Sequence, residues 1–305
     1  MVGRPSCDLI FAGLPEWPRP GNETYSSVLT LSAGGCFNLA ASASRLGLRV
    51  GFVGLMGADL WGDVIRAEVE REGVGTELLR TAEAPLPAVS IALSADGDRG
   101  FVTHEPDVPV ADRELSVHAE RVFARVRAGH THMDLRSNVL TLAPMARRYG
   151  MTISADTGGW ESWLRSREVW DLLPLIDLLF TNESEAEHMT GLRDMREAAA
   201  RLSGSCETVV IKRGPRGALC LTGGELIEVA TRPIDPVIDA TGAGDCFNAG
   251  FLYGRLRDLS PERCLRLGNL CGGLAVQAVG GHQGAPTEAR LLELMRDAGL
   301  LEETM

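Results

Sequence analysis

The chain has 305 residues, 45% of them hydrophobic and 23% charged, with 35 glycines. This is an ordinary globular composition, and the length suits one large α/β domain or two medium ones. Thirty basic against 41 acidic side chains give a net charge of −11 with no basic run, which argues against a nucleic-acid partner. A nucleotide stays compatible, because a few backbone N–H groups, one or two cations and a metal suffice locally. No run of about eighteen apolar residues occurs, so no membrane span is predicted. The opening Met1–Cys7 lacks the apolar stretch of a signal peptide, and a cytoplasmic location is expected. The seven cysteines are scattered singly with no C-x-x-C pair, which suggests buried thiols and neither a disulfide framework nor a zinc site.

In chain order, 11–31 holds Pro15, Pro18 and Pro20 and then a β-like stretch. A helix is predicted over Asn38–Leu46, a strand over Val50–Val53 and a helix over Leu60–Glu72. A hairpin follows from Val89 to Val102, turning at Asp96-Gly97-Asp98, with its first strand over Val89–Leu93. Beyond it, helices at Asn138–Tyr149, Met195–Ser203, Asp245–Leu256 and Pro261–Val279 alternate with strands. Those strands are Met151–Ala155, Leu178–Thr181, Thr208–Lys212 and Ala218–Leu221. Strands separated by helices pair in parallel and carry helices on both faces. Ligands of such sheets sit beyond the strands' carboxyl ends. The segments near 11–31 and 86–105 break the alternation and are expected to form a small separate β lid.

Asp239-Ala240-Thr241-Gly242-Ala243-Gly244-Asp245 precedes the helical run Cys246–Leu252. Small residues let the backbone turn so that N–H groups converge at the start of a helix, where its dipole and unpaired donors suit a phosphate. Asp245 there suits a capping role, and equally a base that takes a proton from an alcohol. Asn182 and Glu185 follow the strand ending at Thr181 and fit a helix start with a capping side chain. Their oxygens also suit Mg²⁺, directly or through its waters. His130 and His132 alternate on a strand; a hydrogen-bonded strand pair is the simpler reading than a metal site. Trp160, Trp163 and Trp170 read as core packing before they read as a pocket wall, and Arg99 as a solvated hairpin charge.

Several motifs in one order carry a resemblance. D-x-T-G-A-G-D stands at Asp239–Asp245, and a small-residue loop then N-x-A stands at Ala33-Gly34-Gly35, Asn38 and Ala40. Gly47, Gly54, Gly57, Asp59 and Gly62 continue the early pattern. The chain resembles the ribokinase-like, or phosphofructokinase-B, carbohydrate kinases from about Val2 to Leu294. The resemblance implies a single ribokinase-like domain over 1–305, with a mostly parallel central sheet, helices on both faces and the β lid. It implies ATP-dependent phosphorylation of a hydroxymethyl group on a sugar or sugar-like molecule, with nucleosides as an alternative acceptor and a catalytically weak sugar sensor as another. Asp245 would be the base, and the N–H groups of Gly242, Ala243 and Gly244 the anion hole. Asp8, Gly34, Gly35 and Asn38 would hold the acceptor. Asn182, Lys212, Gly214, Gly217 and Asn269, with the Gly280–Gly284 loop, would hold ATP; Glu185 would hold Mg²⁺ through water, and Asp239 would lie near a monovalent cation such as K⁺. Phe37 and the tryptophans after Asp156 would stack a nucleoside base. A homodimer through the lid is also implied. Ser6 stands where the family's motif has Asn, Cys36-Phe37 replaces smaller residues, and the lysine of ribokinase itself is missing, which weakens ribose as the acceptor.

Overall fold

The computed structural model describes residues 1–297 apart from 83–87, 96–97, 106–107, 137, 159–160 and 233. The elements run β1 (Pro5–Ala12), β2 (Val28–Gly35), α1 (Phe37–Arg45), β3 (Gly54–Met56), α2 (Leu60–Arg71), β4 (Leu79–Thr81), β5 (Ala88–Ala95), β6 (Asp98–His104) and α3 (Val108–Phe123). Then follow β7 (His130–Asp134), α4 (Val139–Arg148), β8 (Thr152–Asp156), α5 (Glu161–Leu164), α6 (Glu168–Leu172), β9 (Leu178–Asn182), α7 (Glu183–Thr190) and α8 (Met195–Ser203). β10 (Thr208–Lys212), β11 (Ala218–Thr222), β12 (Glu225–Val229), α9 (Ala243–Arg255), α10 (Pro261–Ala275) and α11 (Glu288–Asp297) complete the order.

The larger sheet has the order β12-β11-β10-β9-β8-β7. β7 to β10 are parallel, and β11 and β12 turn back as antiparallel hairpin strands. Beyond β7, Val2 bridges to Met133 on one side and Val53 on the other. The expected strand at Val50–Val53 is thus reduced to single bridges, and the ladder begins only at Gly54. Successive strand residues face opposite sides, which divides the core in two. Leu179, Val209 and Ile211 pack on one face with α3, α4, α7 and α8. Leu178, Phe180 and Val210 pack on the other with Phe247, Phe251 and Leu265 of α9 and α10. Phe180 and Phe251 meet edge to face at 5.4 Å. Each such buried side chain contributes about 1.5–3 kcal/mol, and this contact seats α9 over the sheet.

The smaller sheet has the order β2-β1-β5-β6, antiparallel except between β1 and β5. It is wider than 11–31 and 86–105, because β1 already starts at Pro5 and β2 runs on to Gly35. Its two faces differ in chemistry. Register places Leu31, Leu9, Ile91 and Val102 in one cross-strand row, with Leu29 and Phe11 beside it; Leu29, Leu31, Ile91 and Val102 are exposed. The opposite face carries Ser6, Ser90 and Thr103 and looks back toward the larger sheet's cavity. The tip of the hairpin at Asp96-Gly97, Trp160 and the side chain of Arg99 lie outside the described residues.

Candidate active site

Four parallel strands end on four polar residues, Asp134, Asp156, Asn182 and Lys212. All four line one cavity of about 890 Å³ at the carboxyl edge of the larger sheet, where ligands of parallel sheets sit. The N-terminus of α9 enters the same cavity with Gly242, Ala243, Gly244 and Asp245, and the smaller sheet closes its far side with Arg4, Ser6, Ser90, Thr103 and Glu105.

α9 begins without a side-chain cap, so the donors of its first turn stay turned outward as an anion-binding end. Gly242 has φ +67° and lies against the Gly281 carbonyl, which a Cβ would overlap; only glycine makes this approach without strain. Ala243 N–H reaches back to Ala240 O at 3.4 Å. The expected anion hole therefore has one member already partly engaged. Asp239 braces the loop from below: its Oδ1 accepts from Thr241 N–H (2.9 Å) and Thr241 Oγ1 (2.7 Å), and its Oδ2 from Gly280 N–H (2.9 Å).

Asp245 reaches the cavity from the first turn of α9. Burial, then the nearby Asp156 charge, push its carboxyl up to about 7, against the opposing pull of Lys212 and of a hydrogen bond from Asn38 Nδ2 (3.4 Å). An acid near 7 is well suited to exchange a proton at neutral pH. Lys212 Nζ donates to Asp156 Oδ2 at 2.6 Å and to Asn248 Oδ1 at 3.3 Å. Burial would raise Asp156, but the charge and hydrogen bond of Lys212, with Asn248, hold it below the usual carboxylate value. Burial would lower Lys212, but Asp156 and Glu185 raise it. A cation is thus kept beside Gly244, whose Cβ position is 3.1 Å from Nζ.

Asn182 and Glu185 form a capping box: Asn182 Oδ1 accepts from Glu185 N–H and Glu185 Oε2 from Asn182 N–H, both at 2.9 Å. Glu185 Oε2 also accepts from the hydroxyls of Thr157 and Thr181. Glu185 still lines the cavity, and no hydrogen bond to Oε1 occurs among the described residues. The capping reading of this pair holds, and both residues also line the cavity. Gly214, Gly217 and Asn269 line the opposite end with Gly272, Gly273 and the apolar Ile234, Val237 and Phe247; Asn269 Nδ2 donates to Val229 O at 3.1 Å.

Some of the expected residues lie away from the cavity surface, and others fall where the sequence placed them. Of Asp8, Gly34, Gly35 and Asn38, only Gly35 lines the cavity. Asp8 shares the cavity-facing side of β1 but lies a layer deeper, 8% exposed, packed on Gly34 and accepting from Ser6 Oγ at 2.8 Å; burial pushes its carboxyl up to about 6. Asn38 lies behind Asp245. The Gly280–Gly284 loop packs beneath the 239–245 loop and does not reach the cavity, so Gly272 and Gly273 of α10 take the place expected for it. Phe37 is fully buried between Phe52 and His282 and cannot stack on a ligand. Trp163 donates to Leu135 O at 2.9 Å from the core, and Trp170 packs under Arg201. His130 and His132 bond to Thr152 and Ser154 across the strand pair; burial pushes both down to about 3.

Sequence reasoning missed Asp134, Asp156 and Asn248, and Arg4, Glu105 and Arg136 at the smaller-sheet side of the cavity; Ser6 was noted only as a departure from the family's motif. Arg4 Nη2 lies 2.6 Å and Arg136 Nη1 3.3 Å from Glu105 Oε1, and Arg4 Nε lies 3.5 Å from Asp112 Oδ1. The signal available was position: Asp134 and Asp156 each close a parallel strand.

The family model of pfkB carbohydrate kinases matches residues 11–288. The chain is 31% identical over 250 residues to an uncharacterized sugar kinase of Archaeoglobus fulgidus, covering 80% of this chain and 97% of that protein. It is 30% identical over 306 residues to acarbose 7(IV)-phosphotransferase of Actinoplanes, covering 96% of each. The structure of Arabidopsis thaliana ribokinase complexed with ribose and ATP superposes with a TM-score of 0.77 at 24% identity, over 97% of both chains. The fold is the ribokinase fold. The chain belongs to the pfkB family of carbohydrate kinases. Among the described residues, no helix is long and apolar enough to cross a membrane.

Proposed function

We propose that the protein transfers the γ-phosphoryl group of ATP to a primary hydroxymethyl of a sugar or sugar-like molecule. The observation that carries this reading is one acid, Asp245, raised to about 7, beside an uncapped helix N-terminus inside a single cavity. ATP would lie with its base toward Phe247, Val237, Gly272 and Gly273 and its phosphates toward Gly242–Gly244 and Lys212. There the first-turn amides and the ammonium would take up charge developing on the transferred group. Glu185 and Asn182 offer the hard oxygen ligands that fit Mg²⁺ and its waters; when bound, the ion would neutralise phosphate charge. The acceptor hydroxyl gives its proton to Asp245 and attacks the γ-phosphorus from the side of the smaller sheet, while the bond to the β–γ bridging oxygen breaks and ADP leaves on the opposite side.

On that side Ser6, Arg4 and Glu105 supply donors and acceptors matched to a polyol. Asp8 acts one step back, by orienting Ser6. The smaller sheet serves as a lid that excludes water during transfer. Its exposed row of Leu29, Leu31, Ile91 and Val102 would bury against the same face of a second copy, an arrangement that light scattering checks directly. K⁺ beside Asp239 is part of the same reading, and turnover in K⁺ against choline buffers tests it.

The sugar acceptor is favoured over a nucleoside by the acceptor end of the cavity, whose described residues include no aromatic ring for a base to stack on. Incubation with ATP and a panel of sugars, sugar acids and nucleosides, read by ³¹P NMR, separates the two. Asp245→Asn should lower kcat at least about 100-fold while ATP affinity is kept. Near-normal turnover in that variant removes Asp245 as the base, and ligand binding with no phosphorylated product from any compound leaves a sensor.

A further inference from the structure

Behind the cavity lies a buried histidine that the reaction as described does not use. His282 is 0% exposed. Its Nδ1 lies 3.3 Å from Asn38 Oδ1, and Asn38 Nδ2 in turn donates to Asp245 Oδ2 at 3.4 Å. Its Nε2 lies 3.6 Å from Glu68 Oε2 and 3.5 Å from Glu72 Oε1. His282 Nε2 and Glu68 Oε2 are buried with no hydrogen-bond partner in place. Glu72 is held by Arg45, Nε to Oε2 at 2.6 Å and Nη2 to Oε1 at 2.8 Å, and Glu68 by Arg71. Burial alone would raise Glu72, but Arg45 and His282 bring it down to about 2.

The chemistry of this chain of contacts runs in one direction. An Asn side chain has one accepting and one donating end. The end facing Asp245 must donate, because a carbonyl oxygen there would oppose an ionised carboxylate. The other end must then accept, and the group facing it is His282 Nδ1. A proton on Nδ1 therefore selects the useful orientation of Asn38. The ring packs edge-on against Phe37 at 5.2 Å, with the two carboxylates facing its far side.

We propose that His282 is a positioning residue for the base: its Nδ1–H holds Asn38 so that the amide N–H group points at Asp245 and favours the ionised, proton-accepting form. This rests on the reading of Asp245 as the base. The groups facing Asp245 are Asp134, Asp156 and Lys212 from the ends of β7, β8 and β10, with Cys36 and Cys246. Those facing His282 are Glu68 and Glu72 from α2 and Asp8 from β1. Losing the Asn38 hydrogen bond leaves the remaining acids to favour the protonated carboxyl. The acid limb of the rate profile should then move to higher pH.

The test is the pH dependence of kcat/KM, with kcat and the KM for ATP, for His282→Leu, His282→Gln, Asn38→Ala and the Asn38→Ala/His282→Leu pair. His282→Leu should lower kcat about tenfold, the worth of one well-placed hydrogen bond. It should leave the KM for ATP unchanged and move the acid limb upward. Gln, which can donate to Asn38, should recover part of both effects. In the Asn38→Ala background the histidine change should cost nothing further, since its effect passes through Asn38. Multiplying defects, or an acid limb that stays in place, overturn the link. If His282→Leu fails to fold, ¹⁵N imidazole shifts of the wild-type protein decide: a protonated Nδ1 supports the contact and a bare Nδ1 overturns it. An active Asp245→Asn enzyme removes the base itself, whereas additivity beside an inactive Asp245→Asn enzyme removes only the role of His282.

Discussion

Replacing Asp245 by Asn should make the protein more stable at alkaline pH while it removes catalysis. The carboxyl moves from 3.8 to about 7 on folding, because burial and the Asp156 charge disfavour ionisation. Its folded value lies above its unfolded one, so between about pH 4 and pH 7 the native state holds the proton more tightly. Stability contributed by this group is full at acid pH, falls as pH rises through that window and stays lost above it. At about 1.4 kcal/mol per tenfold change, the full displacement corresponds to about 4 kcal/mol. Asp245 borders the open cavity, where water screens it, and about 2 kcal/mol is the expected cost of ionisation. A neutral amide avoids that cost. Asp245→Asn should therefore melt several degrees above wild type at pH 8, with the advantage shrinking toward zero at pH 4.5. Paired thermal or urea unfolding of the two proteins at both pH values measures this. A variant that gains nothing at pH 8, or gains equally at both pH values, refutes the argument that burial and Asp156 strain this acid.

Glu185→Gln keeps both halves of the capping box, since Gln serves as well as Glu at that position. Its melting temperature should change little, while the Mg²⁺ concentration for half-maximal rate should rise several-fold in a metal titration. Gly242→Ala forces a side chain into a left-handed backbone and onto the Gly281 carbonyl. It should cost at least about 2 kcal/mol in urea unfolding and raise the KM for ATP. Lys212→Met leaves the buried Asp156 with neutral donors alone, Asn248 Nδ2 and Gly158 N–H, and no cation. Loss of about 3 kcal/mol or more of stability is expected, with weaker ATP binding by calorimetry.

The part of the cavity lined from β9, β10 and α9 was legible in the sequence because each piece is contiguous. Asp239–Asp245, Asn182–Glu185 and Lys212–Gly217 are short runs that follow a strand or open a helix, so local pattern and location coincide. The part lined by the smaller sheet was not legible. Ser6, Ser90, Thr103 and Glu105 come from three separate segments, and only sheet register brings them to one face. Asp8 shows the same limit at finer scale: the resemblance singled it out but could not say that Ser6 would stand before it. The Gly280–Gly284 loop shows a different limit: its glycines permit close backbone approach, and the approach in the structure is to Gly242 and Asp239. Phe37 misled because an aromatic residue in a glycine loop resembles a stacking platform, whereas here it fills the core under α1.

The first segment of the chain belongs to both sheets. Val2 bridges Val53 and Met133 in the larger one, and three residues later β1 begins the smaller one with no intervening loop. Any rotation of one sheet against the other must therefore flex the backbone at Gly3 and Arg4, the only slack between them on this strand. Arg4 and Ser6 stand at that crossing and line the cavity, so a stiffer residue at Gly3, one of several passages of the chain between the two sheets, would be felt first at their edge of the cavity.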